Sequence, residues 1–387
     1  MKVVVAPDSF KGSTTAIEAA LAISKGIWKA DPEAEIIQKP MADGGEGTLQ
    51  SLVKATGGHF CWTQTHDPLG REIRAAYGVM GDGKSVIIEL AAASGIELLT
   101  ANELNPFHTT TFGTGELIAD AIKNGYRNFV ICLGGSATND GGTGLLKALG
   151  FRFLKSNGEE IGPGGYPLRE LSAIDQGKVH PAVFESKFQV ACDVTNPLIG
   201  EKGASRVFGS QKGASLEQTE ELDRSLNVFA EVLAKTTGIE VDTMEGAGAA
   251  GGTAAGLVGL VKASLSPGVQ LVLEKMKWKE MLESNKIDFI VTGEGRLDSQ
   301  TASGKVVSGV AEWGQFNKIP VFALAGSIDG DLTELYQKGL SAAFSIARGP
   351  MVLQESMDAA EQLLETAAEN IARLWKAAEF AKPKIGR

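Results

Sequence analysis

The sequence predicts an α/β protein of two domains: a Rossmann-like parallel-sheet domain built from both chain ends, and an inserted mixed α/β domain with an antiparallel β meander. Three observations carry this. Short apolar runs alternate with amphipathic helical stretches near both termini, as in successive β–loop–α units. From residue 60 the rhythm changes to period-two alternation, with a hairpin signal at Asp82-Gly83. At 387 residues the chain is also long for a single core. The expected boundaries are 1–60 with 285–376 for the Rossmann-like domain, 61–284 for the insert, and 377–387 for a polar tail.

Val3–Ala6 reads as the first strand, followed by a loop and a helix with Ile17, Ala20, Leu21, Ser24, Ile27 and Trp28 on one face. Thr15 and Glu18 have capping-box spacing. A second strand over 35–41 runs into Asp43-Gly44-Gly45-Glu46-Gly47, and a helix with Leu49, Leu52 and Val53 inward follows. The meander comes next: Phe60 and Trp62 alternate with polar residues, then Ile73, Ala75, Tyr77 and Val79, then the segment 85–90. A helix is expected at 115–124, a buried strand at 129–133 leading through glycines to a short helix ended by Gly150, and a Gly/Pro-rich loop at 157–167. A strand at 188–194, a polar loop at 200–215, and helices at 216–236 and 253–263 complete the insert. The first rhythm returns with strands at 287–291, 319–325 and 341–347, helices to Trp313 and at 331–338, and a final helix at 355–376.

Bulk properties narrow the function. Hydrophobic residues at 43% and charged residues at 22% are ordinary for a globular protein. A net charge of -10 argues against nucleic acid or an anionic membrane surface as the partner. Any anionic substrate must therefore be met by local lysines and arginines. Cys61, Cys132 and Cys192 are sparse and unpaired in sequence, and the four histidines lack zinc-ligand spacing. Neither a signal peptide nor a membrane-length apolar stretch is evident, so a cytoplasmic protein is expected. Oligomeric state is not readable.

Glycine loops follow strands at 44–47, 134–142, 293–295 and 326. Ligands of open α/β sheets bind at the carboxyl ends of strands, where such loops gather. Polar residues collect at the same ends: Asp8 and Lys11, Asp43 and Glu46, Asp140, Asp193, and Glu294, Arg296 and Asp298. A lone Asp there is by default an N-cap or turn residue. Acids and cations at so many strand ends fit a shared cleft, and their mixture suits phosphoryl transfer. The basic loop brings Lys202, Arg206 and Lys212 together, either as a solvated surface or as a carboxylate fork. Walker A is absent, since Ser303-Gly304-Lys305 precedes Val306 and the leading Gly is missing. GxGxxG occurs once, at 246–251, after a poor strand and without the later acidic partner. It alone motivates a competing reading, an NAD-dependent oxidoreductase acting on a small hydroxy acid. A non-catalytic binding protein would leave the gathered charges unexplained.

The segments APDSFKGS (6–13), PMADGGEGT (40–48), ELAAASGIEL (89–98), TTFGTGELI (110–118), GGSATNDGGTG (134–144), ACDVTNPLIGEKGASRVFGSQKGA (191–214), GAGAAGG (246–252) and TGEGRLDSQTASGK (292–305) resemble the class I, bacterial glycerate kinase family, in the glycerate 2-kinase manner. The resemblance runs essentially end to end. It implies transfer of phosphate from ATP to D-glycerate, most often giving 2-phospho-D-glycerate and ADP, with Mg²⁺, in a cleft between two α/β domains. On the matched positions the catalytic candidates are Asp193, to orient the attacking hydroxyl, Lys11, on a phosphate or the glycerate carboxylate, and Arg296, on the charge of the transferring group. Asp43, Glu294 and Asp298 are implied for Mg²⁺ or ribose. Substrate and nucleotide contacts are implied for Asp8, Ser9, Gly44, Gly45, Gly134, Gly135, Ser136, Thr138, Asn139, Asp140, Asn196, Arg206, Gly293 and Gly295. Whether the 134–142 loop holds ATP or glycerate is left open by the sequence.

Overall fold

A computed structural model describes residues 1–381 except Glu46, Gln300 and Ser303. Glu46, Ser303 and the end of the expected polar tail thus lie outside the described residues. The chain divides into two compact units, one of residues 1–43 and 269–387, the other of residues 44–268.

The first unit holds a five-stranded sheet, in the order Leu340–Ser345, Val321–Ile328, Phe289–Leu297, Lys2–Pro7, Glu35–Gln38. Every pairing is parallel, so both chain ends share one sheet. Val3, Val5, Phe289, Val291 and Leu324 fill its core. The helix Ala16–Ala30 starts with the expected capping box: Thr15 and Glu18 satisfy each other's backbone N–H groups. Its inward face differs from the expectation. Ala19, Ala22, Ile23, Gly26 and Ile27 are buried, whereas Leu21 and Trp28 are exposed. The reason is a second helix, Ala360–Ala381, against which the small-residue face packs; an added Cβ on Gly26 would stand 2.0 Å from the Glu365 carbonyl oxygen. The expected final helix is broken into Leu353–Asp358 and Ala360–Ala381.

The second unit holds a six-stranded sheet, in the order Ser264–Ser266, Lys187–Ala191, Asn128–Cys132, Ser85–Glu89, Glu72–Val79, His59–His66. The first four strands are parallel, and the last two add antiparallel pairings, which is the meander. Tyr77, Ile88, Leu117, Phe129, Ile131, Leu145 and Val190 form its core. The unit boundaries fall earlier than residues 60 and 285. The helix Thr48–Thr56 packs on the meander strands and so joins the second unit. At the far end, Val269 of the helix Gly268–Lys275 packs under Gly309 of the helix Val306–Asn317. The helices Gly268–Lys275 and Trp278–Ser284, and the small hairpin of Arg152–Leu154 with Ala173–Asp175, had no clear sequence signal. The 200–215 loop contains the short helix Ala204–Phe208 and a 3-10 turn, Ser210–Lys212.

Candidate active site

In the first unit, register decides which side chains meet. Pro7 pairs with Gly293 on the neighbouring parallel strand, and the Asp8 N–H donates to the Gly293 carbonyl at 2.8 Å. Asp8, just past the end of its strand, thereby stands beside Glu294, which lies within Phe289–Leu297 and not after it as expected, with Asp43 close enough to act on both. Burial, then the charges of Asp43 and Glu294, push the Asp8 carboxyl up to about 8, against an opposing bond from the Ser9 N–H at 2.6 Å. Glu294 is buried and likewise raised by burial, with the Thr301 hydroxyl bonding to it and the Lys305 ammonium opposing the rise. Crowded, partly desolvated carboxylates of this kind are stabilised by a cation. That fits a Mg²⁺ requirement, even though no three His, Cys, Asp or Glu side chains among the described residues stand ready to hold a metal ion by themselves. Mg²⁺ in kinases is usually bound by one or two carboxylates, with phosphates and waters completing the shell. Asp43, Glu294 and Asp298 are therefore not a ready-made cage.

Arg296 and Lys11 are exposed. The Arg296 Nε lies 2.9 Å from Asp329 and 3.4 Å from Asp298, so its charge is shared with acids of its own unit. Gly293 is close-packed, since a Cβ there would stand 2.2 Å from the Leu324 carbonyl oxygen. Gly295 has room for one.

In the second unit, the strand Asn128–Cys132 opens into exposed Gly134 and Gly135 and then into the buried run Ser136–Asp140. Gly44 packs on Ala191, and Gly45 on Gly134, so the 44–45 loop covers the ends of these strands. Asp140 departs from the expectation of a ligand contact. It is fully buried, and its carboxylate accepts from the Thr111 N–H and hydroxyl, both at 2.9 Å, and from the Gly142 and Gly144 N–H groups. Its oxygens are taken up by its own loop and by the start of the helix Phe112–Lys123. Asp140 is a brace.

Lys212, which the sequence offers only as one of three basic-loop cations for a carboxylate, is the one that turns inward. Its ammonium is buried and donates to the Ser136 hydroxyl at 2.8 Å and the Thr138 carbonyl at 2.7 Å. Burial lowers its pKa to about 7. Beside it, Thr138 Oγ1 and Asn139 Oδ1 are buried without a hydrogen-bond partner among the described residues, while the Asn139 amide donates to Ser205. Unsatisfied buried polar atoms are uncommon in native proteins and ask for a reason. The GAGAAGG run lies under this same loop. An added Cβ at Gly251 would stand 2.2 Å from the Thr138 carbonyl oxygen, and one at Gly256 2.3 Å from that of Gly141. No strand leads directly into Gly246, and Ala250 to Gly252 have positive φ. The glycines serve close packing, and the strand–turn–helix context of a dinucleotide fingerprint is missing.

The other expected polar residues are spread around the 193–206 segment. Asp193 is exposed, and its carboxylate accepts from the Gly268 N–H at 2.8 Å. The Asn196 amide donates to the Lys202 carbonyl. Arg206 faces Glu201 at 3.4 Å and Asp223 at 3.6 Å. The basic cluster of the sequence is thus dispersed: Lys212 turns inward, Arg206 is shared with acids, and Lys202 is exposed.

Comparison with known proteins places this arrangement. The Glycerate kinase family model matches residues 3–376. A glycerate kinase of Halalkalibacterium halodurans is 48% identical over 96% of this chain and 97% of its own length. The glycerate 2-kinase of Escherichia coli is 44% identical over 96% and 97%. The crystal structure of a Salmonella typhimurium LT2 protein named glycerate kinase 2 superposes with a TM-score of 0.89 at 40% identity, covering 98% of this chain and 99% of that one. Fold and these matches together define a two-unit α/β small-molecule kinase. The chain belongs to the glycerate kinase family. No helix among the described residues is long and apolar enough to cross a membrane.

Proposed function

We propose that this glycerate kinase uses ATP and Mg²⁺ to phosphorylate the 2-hydroxyl of D-glycerate, giving 2-phospho-D-glycerate and ADP. The observation that carries the reading is the crowd of Asp8, Asp43 and Glu294 in the first unit, which a cation would relieve, in a member of this family. The name of the Escherichia coli relative favours the 2-position. In the proposed step the 2-hydroxyl oxygen bonds to the γ-phosphorus as the bond to the β,γ-bridging oxygen breaks. ADP leaves, and the hydroxyl proton passes to the Asp193 carboxylate. Asp43 and Glu294 would hold Mg²⁺, which supplies charge neutralisation to the phosphate oxygens when bound. Ser9, the Gly293–Gly295 backbone and Lys11 are assigned to phosphate. Gly134, Gly135, Ser136, Asn196 and Arg206 are assigned to glycerate. The proposal includes that the loops of both units serve one reaction.

The test is incubation of the purified chain with ATP, D-glycerate and MgCl₂, with phosphorus NMR of the product. A 2-phosphoglycerate signal that vanishes with excess EDTA is expected. A 3-phosphoglycerate signal would overturn the regiochemistry, and turnover undiminished by EDTA would overturn the metal. Reduction of added NAD without phosphate transfer would favour the oxidoreductase.

A further inference from the structure

A cavity of about 250 Å³ lies wholly within the second unit, at the antiparallel end of its sheet. It is framed by the turn Pro68-Leu69-Gly70 and by the starts of the helices Phe112–Lys123 and Thr143–Ala148. The proposed reaction uses none of its lining side chains. Its walls are chiefly apolar, from Pro68, Leu69, Phe112 and Pro163, and three nitrogen-bearing side chains face the same space: His66, His108 and Lys147.

Each of the three is set up differently. The His66 ring is fixed by Glu116, whose carboxylate lies 2.9 Å and 3.0 Å from Nδ1 and is itself anchored by the His66 N–H and the Thr65 hydroxyl. A carboxylate can only accept, so Nδ1 donates to Glu116; Nε2 faces away from it as an acceptor in the neutral ring and donates to an anion only in the imidazolium. The His108 ring makes no hydrogen bond among the described residues and rests edge-on to Phe107. The Lys147 ammonium is half-buried and donates to the Ile161 carbonyl at 2.6 Å. No carboxylate lies within ion-pair distance of it among the described residues; Glu160 and Asp140 act on it only from further off. Burial lowers its pKa, the situation of a cation whose counter-charge is missing. The helix dipole of Phe112–Lys123 adds positive potential at the same wall.

We propose that this cavity is a binding site for a small organic anion, with a carboxylate met by Lys147 and His108, and by His66 when its ring is the imidazolium, and a compact apolar body packed on Phe112 and the two prolines. A ligand pocket of this kind is mostly apolar with a few convergent polar groups. The apolar walls give the organic body its place, which inorganic anions lack.

The chain has only four histidines, His59, His66, His108 and His180, so their ring resonances report binding site by site. Benzoate serves as the probe for the full-length protein, with benzamide as its uncharged counterpart. Benzoate is expected to shift the His66 and His108 rings saturably and to leave His59 and His180 in place. Lys147→Met is expected to raise the benzoate Kd at least tenfold, and benzamide to bind at least tenfold more weakly than benzoate. His108→Gln, at an exposed position, gives a second variant with little bearing on folding and is expected to weaken benzoate severalfold. The proposal is overturned if benzoate produces no saturable shift at His66 and His108, if all four rings move together, or if benzamide binds as well as benzoate. The readout is independent of kinase turnover, so its failure leaves the proposed reaction untouched.

Discussion

Asp140 and Asp193 look alike in the sequence, each an acid a few residues beyond an apolar run, yet the fold gives them different work. Asp140 is sealed and accepts from Thr111, Gly142 and Gly144. Converting it to Asn replaces one acceptor oxygen by a donor and leaves buried N–H groups facing it. Asp140→Asn is expected to lower stability by about 2–4 kcal/mol, read from the denaturant midpoint at unchanged m. Asp193 is exposed, and its carboxylate accepts from the Gly268 N–H. Asp193→Asn is expected to hold the midpoint within about 0.5 kcal/mol of wild type and to lower kcat on the order of a hundredfold or more. Turnover within a few-fold of wild type would remove Asp193 from the proposed reaction. The sequence marked both acids as candidates because strand-end position is readable. Burial and the direction of hydrogen bonds are not. Lys212 shows the same gap from the other side: within the 200–215 segment it was one basic residue among three, and only the 3-10 turn carries it inside.

At the level of elements, legibility follows the range of the interaction. The Thr15–Glu18 capping box, the 72–89 meander and the strands at both chain ends are local patterns, and each formed as expected. The faces of the helices depend on partners far along the chain. The helix Ala16–Ala30 was read with Leu21 and Trp28 inward because its periodicity allowed it, yet the contact with Ala360–Ala381 favours Ala19, Ala22 and Gly26. Gly26 is needed there for closeness and not for backbone freedom, since it sits in a regular helix. An added methyl would stand 2.0 Å from the backbone of Glu365, which cannot yield as a side chain tip does. Gly26→Ala raises helix propensity by about 1 kcal/mol. The helices must nonetheless separate, at a cost of about 1–3 kcal/mol for overpacking. A net loss of stability is expected in urea denaturation, with KM for ATP and glycerate within twofold of wild type. A gain in stability would show that the contact relaxes freely.

Over the whole molecule, each unit carries a strongly shifted group, Asp8 in the first and Lys212 in the second, and these two shifts oppose one another. Asp8, in the first unit, is raised from 3.8 to about 8, so between these values the folded chain holds a proton that the unfolded chain has released. Its contribution to stability is present below pH 3.8 and is lost as pH rises through 8. Lys212, in the second unit, is lowered from 10.5 to about 7, so the unfolded chain binds the extra proton in that window. Its contribution is present above pH 10.5 and is lost as pH falls through 7. Each group contributes at most about 1.4 kcal/mol per pH unit within its own window. The difference in stability between Asp8→Asn and wild type is therefore expected to move in favour of the variant from pH 5 to 8 and to flatten above that. Lys212→Met relative to wild type should be favoured most near pH 6 and progressively less from pH 7 to 10. Thermal unfolding of the three proteins across pH 5 to 10, without added metal, separates these slopes. Adding MgCl₂ should shrink the Asp8 slope, because a cation beside Asp43 and Glu294 relieves the charges that hold the Asp8 proton on, and should leave the Lys212 slope unchanged. An Asp8 slope indifferent to Mg²⁺ would detach the metal from this carboxylate cluster.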